Sequence, residues 1–177
     1  MLFKHAVIGV LVDEGIGKRL NDGRLDLNPE GWYSQESWLR AFARIAADGG
    51  DGALFKIGQR IPENAQFPPW VVDVHSAIRS INIACHMNHR KSGKVMFDPE
   101  NQEMLDGIGH YGYSPVEGEQ KIISECENPY PCEFDRGIVT AMARKFELNT
   151  RVVHDDSQPC RKNADRLRAR CERGMTW

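Results

Sequence analysis

The longest regular pattern in the chain covers residues 70–89, where Val71, Val74, Ile78, Ile81 and Cys85 recur at alternating spacings of three and four. That period is the mark of one buried helix face. It predicts a central helix, ending in Cys-His-Met-Asn-His-Arg before Lys-Ser-Gly-Lys stops it. An apolar helix face must be covered by another layer. The remaining segments are therefore read for what could cover it.

Two more helices precede it. Ser34 is a good N-cap, Trp38, Leu39, Phe42, Ile45 and Ala46 follow at helical spacing, and Gly49-Gly50 ends the run. Residues 53–61 place Leu54, Ile57 and Ile61 at helical spacing with Gly58 among them. A glycine inside a helix costs about 1 kcal/mol against alanine, and it is tolerable where another backbone packs closely. Pro62, Pro68 and Pro69 make 62–69 a loop. Residues 5–12 suit either a first strand or a buried helical turn. Residues 15–31 read as turns around a short extended Arg-Leu-Asp-Leu piece.

Strands dominate the second half of the chain. They are expected at 94–98, at 104–114, where three glycines imply close approach, and at 120–126. After the rigid turn Asn-Pro-Tyr-Pro, a helix is expected from Asp135, capped by that carboxylate, with Ile138, Ala141, Met142 and Phe146 inside. Residues 150–154 form a β-branched strand and 167–175 a last one. Segregated elements of this kind predict an α+β fold. Its N-terminal helices would pack on an antiparallel sheet, with a C-terminal strand-helix-strand-strand unit, in one domain over 1–177.

Composition narrows the class of partner. A net charge of -2 over 177 residues offers no electrostatic reason for nucleic acid. Arg166, Arg168, Arg170 and Arg173 alternate as a solvated strand face would. No apolar run approaches the roughly 18 residues a membrane span needs. Asp13 and Glu14 close the apolar opening too early for a secretory signal. Five cysteines, an odd count, fit a reducing cytoplasm better than a disulfide framework.

The C-terminal segment holds Cys126, Cys132, Cys160 and Cys171 in strand, turn, Gly-Ile-Val-Thr-Ala-Met-Ala helix, strand, loop and strand. This order resembles the C-terminal half of the 4-vinyl-reductase-type ligand-binding domains. Those belong with the heme-NO-binding domains and the TRAPP vesicle-tethering subunits in one fold group. Ala-Leu-Phe-Lys-Ile-Gly-Gln-Arg-Ile is similar to that group's helix with an apolar-Gly-Arg step. The likeness covers roughly residues 34–177.

Two cofactor expectations come with it. The heme-binding branch uses a proximal His and a Tyr-x-Ser-x-Arg motif. Here His-Tyr-Gly-Tyr-Ser-Pro (110–115) lacks the arginine, so heme is disfavoured. The phenol-sensing branch holds zinc with cysteines and an acidic residue. By that resemblance Cys132, His154 (or Asp155) and Cys160 fall near three ligand positions. Arg168 stands where the last thiolate would fall, leaving Cys171 as a substitute. Zinc is therefore the candidate metal, and tetrahedral zinc suits thiolate and imidazole. Buried structural cysteines at strand ends account for the same pattern.

A second constellation lies at the end of the long helix. His86 and His89 are spaced i, i+3 and can share a face. If that face meets His110, Tyr111 and Tyr113, an apolar site with polar tips results. Capping of the helix end by the same histidines is the plainer alternative. Cys132 ahead of a helix, with His154 as a base, could in principle be a nucleophile pair, but no catalytic signature is present. The expectation is a small-molecule sensor or binding domain with His86, His89, His110 and Tyr111 at its ligand. Its output would pass through a partner or a homodimer face. A small enzyme acting on an aromatic or tetrapyrrole compound, and an assembly protein with a vestigial pocket, are the alternatives.

Overall fold

The computed structural model describes residues 2–28, 30–63, 65–155, 157 and 171–176. They group into two compact units, Met1–Leu54 and Phe55–Trp177. The fold class is the expected α+β, with helices and small antiparallel sheets.

In the first unit, α1 (Leu2–Asp13) is a helix, which decides the segment left open between strand and helical turn. Ile8, Val10 and Leu11 on it are buried. The turn-rich stretch after it folds as a two-stranded hairpin of β1 (Lys18–Arg19) and β2 (Leu25–Asp26). Gly17 enters it at a φ of 73°, and a Cβ there would sit 2.6 Å from the Asp26 carbonyl oxygen. Helix α2 (Gln35–Gly49) buries Ala41, Phe42 and Ile45, and Gly50 ends it at a φ of 70°. Ser34 stands at its N-cap but makes no side-chain cap bond. Two arginines of α2 reach back to the end of α1. Arg40 donates to Glu14 (2.8 Å), and Arg44 donates to Glu14 (3.0 Å) and Asp13 (2.9 Å). The hydrogen bond from Arg40, followed by that from Arg44, holds the Glu14 carboxyl below its ordinary value.

Helix α3 (Asp51–Glu63) runs through Pro62 rather than stopping before it. In the second unit, this helix crosses α5 (Cys132–Arg144) with backbones in contact. A Cβ on Gly58 would lie 2.1 Å from the Phe134 carbonyl oxygen. One on Gly137 would lie 2.2 Å from the Phe55 carbonyl oxygen. The close approach expected of Gly58 is thus present, and Gly137 is its counterpart. Helix α5 starts three residues earlier than expected, with Pro131 at its N-cap. Asp135 is therefore not a cap: it lies inside the first turns, fully buried. Ile138 and Met142 are buried as expected, together with Val139 and Ala143.

Helix α4 (Val74–Met87) begins four residues inside the apolar pattern because Asp73 caps it. Asp73 Oδ1 accepts the Ser76 N–H (2.7 Å), and Ser76 Oγ accepts the Asp73 N–H (3.0 Å). Lys-Ser-Gly-Lys after it is a hairpin turn rather than a simple stop. Ser92 and Gly93 both have positive φ, 52° and 81°, as a two-residue loop requires. They join β3 (Arg90–Lys91) to β4 (Lys94–Val95).

The main sheet is antiparallel. It contains β5 (His110–Tyr111), β6 (Ser114–Pro115), β7 (Lys121–Glu127), β8 (Arg151–His154) and β9 (Cys171–Thr176). The order is β5-β7-β9-β8, with β6 also on β7. Alternate residues of β7, namely Ile122, Ser124 and Cys126, are buried. The strand expected at 104–114 is reduced to the short β5 and β6. Gly109 presses so closely on β7 that a Cβ would lie 1.7 Å from the Glu127 carbonyl oxygen. The start expected for the last strand, 167–170, lies outside the described residues, as do Arg166, Arg168 and Arg170.

Alanine at Gly58 or at Gly137 should lower stability by at least about 1–3 kcal/mol, the usual cost of forcing atoms into a filled space. Here the obstacle is backbone, which cannot swing aside. Urea unfolding of either variant is the check; an unchanged midpoint would contradict the crossing.

Candidate functional site

Three polar residues of α4, His75, Asn82 and His86, are spaced i, i+7 and i+11, and His89 follows just past the C-cap Asn88. At 3.6 residues per turn these share one stripe. Each of the four meets a partner elsewhere in the chain. His75 Nδ1 lies 2.8 Å from the Tyr113 hydroxyl, with the Arg79 guanidinium 4.9 Å from the same ring's centre. Asn82 Oδ1 accepts the Tyr111 N–H (3.0 Å), and its Nδ2 donates to Met104 Sδ (3.3 Å). The His86 ring stacks on His110, centres 5.4 Å apart and planes 26° apart. His89 bonds the Tyr130 hydroxyl through Nε2.

His86 is fully buried. Its Nδ1 lies 2.8 Å from the Asn82 carbonyl oxygen. A carbonyl only accepts, so Nδ1 is the donor. Its Nε2 is buried with no hydrogen-bond partner among the described residues. His89 differs because both its nitrogens are engaged. Its Nδ1 donates to the Cys85 carbonyl oxygen (2.5 Å), which leaves Nε2 to accept from Tyr130. Burial lowers the His89 pKa, against the opposing pull of that carbonyl.

Behind the stripe sits a second buried group. The Tyr111 hydroxyl donates to Asp135 Oδ1 (2.6 Å), with both residues buried. Burial, and then the Asp135 charge, push the Tyr111 phenol well above its ordinary value. Burial likewise pushes the Cys85 thiol up to about 12, with Asp135 and Cys126 adding to it. Cys85 is thus held as a thiol, the opposite of a reactive cysteine.

The expected ligand residues divide accordingly. His86, His110 and Tyr111 are brought together, while His89 faces Tyr130 at the next turn. Of the expected zinc ligands, Cys132 is the buried first residue of α5. His154 ends β8 opposite Arg173. The backbone of Cys171 pairs with that of Cys126. Cys160 lies outside the described residues. His75 and Asn82 were missed, Asp135 was read only as a helix cap, and Tyr113 was named without its partner His75. The signal for the stripe was the i, i+7, i+11 spacing of polar residues beside an apolar stripe on the same helix.

No family model matches the chain, and no curated protein matches it. Solved structures do. One described as "Probing the function of heme distortion in the H-NOX family" superposes with a TM-score of 0.62 at 13% identity, over 98% of this chain and 85% of that chain. A "Cs H-NOX mutant with unnatural amino acid 4-cyano-L-phenylalanine at site 5" gives 0.61 at 12% identity, over 96% and 84%. A third, described as "Structural insights into the molecular mechanism of H-NOX activation", gives 0.58 at 12% identity, over 98% and 86%. The chain therefore has the fold of the group that contains the heme-NO-binding domains.

The cofactor expectation is overturned. The similar structures are H-NOX proteins, one of them described in terms of heme distortion, so heme cannot be set aside on a missing arginine. Among the described residues, no group of three or more His, Cys, Asp or Glu is placed to hold a metal ion. No helix among the described residues is long and apolar enough to cross a membrane.

Replacing Tyr111 by Phe should cost about 1.5–3 kcal/mol near neutral pH, as for other hydrogen bonds to a charged group. The wild-type advantage should then shrink above pH ~10, the ordinary tyrosine value. There the unfolded chain ionises this phenol and the folded chain does not, so folding binds the proton that alkali removes. Chemical unfolding of both proteins across pH 7–11 reads the difference; a gap that widens in alkali would contradict the assignment.

Proposed function

We propose that the chain is a small-molecule-sensing domain of the heme-NO-binding fold group, with heme as its ligand and His86 as the residue that holds the iron. The observation that carries this is the buried, unpartnered Nε2 of His86. With Nδ1 donating to the Asn82 carbonyl, the neutral ring presents Nε2 as a bare lone pair. Leaving a buried acceptor unsatisfied costs about 1–3 kcal/mol. Neutral imidazole nitrogen is the commonest metal ligand. Its other nitrogen characteristically donates to a carbonyl or carboxylate, which fixes the ring's tautomer and direction.

The donor set fits heme at the iron. His89 is unsuited, since both its nitrogens are committed. Bound heme would supply an iron centre for the recognition of a small gaseous ligand. The chain's own contribution is to orient His86 from Asn82 and to exclude water around it. Residues 110–115 lack the arginine of Tyr-x-Ser-x-Arg, so the reading rests on His86 and on the fold. The enzyme and assembly alternatives have no observation in their favour.

Titration of the purified chain with hemin should give one equivalent bound and the Soret band of histidine-ligated heme. His86→Ala should lose that band, and added imidazole should restore it, while His75→Ala keeps it. An identical band and affinity in His86→Ala would reject His86 as the ligand. Binding of a phenolic compound in place of hemin would favour the 4-vinyl-reductase branch of the group.

A further inference from the structure

We propose that Arg79 is the carboxylate anchor of the His86 site: its guanidinium takes the acid groups of a ligand whose apolar body lies toward His86. The inference rests on the heme reading and deepens it, since heme is a flat apolar ring that carries two propionate carboxylates.

The first observation is position. Helix α4 contains one permanently charged side chain, Arg79, and no acidic one. Arg79 stands four residues after His75, three before Asn82 and seven before His86. It therefore lies on the same stripe as those three. Seven residues are two turns, about 10 Å of helix, a span on the scale of a porphyrin from its centre to the ends of its propionate arms. Residues 110–113 run back along this stripe, with His110 at His86, Tyr111 at Asn82 and Tyr113 at His75. Arg79 and His86 thus stand at two ends of one contact surface.

The second observation is exposure. The stripe is buried at His86, half-buried at Asn82 and exposed at Arg79. An ionised carboxylate is costly to bury without a partner. An acidic ligand on this surface therefore keeps its acid groups at the Arg79 end.

The third observation is that the guanidinium is held in place without being neutralised. Its Nε donates to the His75 carbonyl oxygen (3.4 Å), and its central carbon lies 4.9 Å from the centre of the Tyr113 ring. That ring is steadied in turn by the bond between its hydroxyl and His75 Nδ1, with the two rings edge-on at 83°. Among the described residues, Arg79 makes no ion pair. The carboxylate at the head of α4, Asp73, is committed to the cap, accepting from the Ser76 N–H (2.7 Å) and hydroxyl (2.6 Å). The terminal nitrogens of Arg79 can then offer a carboxylate two parallel N–H bonds, the fork that lysine lacks.

Fluorescence titration of the full chain with metal-free protoporphyrin, and with its dimethyl ester in the same dilute detergent, tests the anchor without iron. The wild type should bind the diacid at least about tenfold more tightly than the ester, as a bidentate charge-assisted pair implies. Arg79→Gln should lose that preference by weakening the diacid to the level of the ester. Arg79→Lys keeps the charge without the fork and should fall between. Equal wild-type affinity for diacid and ester, an undiminished preference in Arg79→Gln, or no porphyrin binding by the wild type would overturn the anchor. Circular dichroism of each variant confirms the fold.

Hemin keeps this inference apart from the heme reading. Arg79→Gln should bind hemin more weakly than the wild type yet reach the Soret band of histidine-ligated heme. A wild-type hemin complex without that band rejects His86 as the iron ligand, while the diacid preference still decides Arg79. The histidine band together with equal diacid and ester affinities keeps His86 and rejects Arg79.

Discussion

Tyr111 is held from three directions, and the candidate site depends on that. Its N–H donates to Asn82 on α4, its hydroxyl donates to the buried Asp135 on α5, and its backbone pairs with Cys126 on β7. Two helices and the sheet are thereby indexed to one residue. Hydrogen bonds of this sort add only modestly to net stability, but a buried group left without its partner is costly. Register errors among the three elements would orphan Asn82, Asp135 or both. The stack of His86 on His110 follows from the same indexing, since His110 is the neighbouring residue on β5 and His86 lies one turn after Asn82 on α4.

The α3–α5 crossing supports this arrangement from the other side of α5. Gly58 and Gly137 let two backbones touch, so α5 sits deeper against α3 than any side chain would allow. Asp135, two residues before Gly137, lies in the interior. A carboxylate so placed needs a donor, and Tyr111 provides one. Backbone packing at two glycines and a buried polar bond are consequently parts of one solution. It leaves His86 with one nitrogen satisfied and the other not.

Much of this was legible in the residues. The apolar stripe of α4 announced the central helix, Gly58 announced a close helix contact, and the three glycines of 104–114 announced close approach to a strand. The physical reason is that each feature is local: a period or a glycine in a place that penalises it. The errors came from features set by tertiary context. Asp135 looked like a cap because an acidic residue near a helix start usually is one, yet Pro131 began the helix earlier and turned Asp135 inward. The zinc reading placed Cys132, His154 and Cys171 by spacing borrowed from a resemblance, while strand register decides where they stand. Heme was set aside on one absent arginine, although a buried nitrogen without a hydrogen-bond partner, such as His86 Nε2, is defined by what α4 packs against and not by a sequence motif.

The claim beneath the proposed site is that His86 is neutral, carries its proton on Nδ1 and keeps Nε2 as a bare acceptor in the folded, ligand-free chain. Nitrogen-15 NMR of histidine-labelled protein near neutral pH reads this directly, with His86→Gln assigning the signals. The account predicts for His86 a protonated Nδ1 and a pyridine-like Nε2. A proton on Nε2, whether as the other tautomer or as the imidazolium, would contradict it.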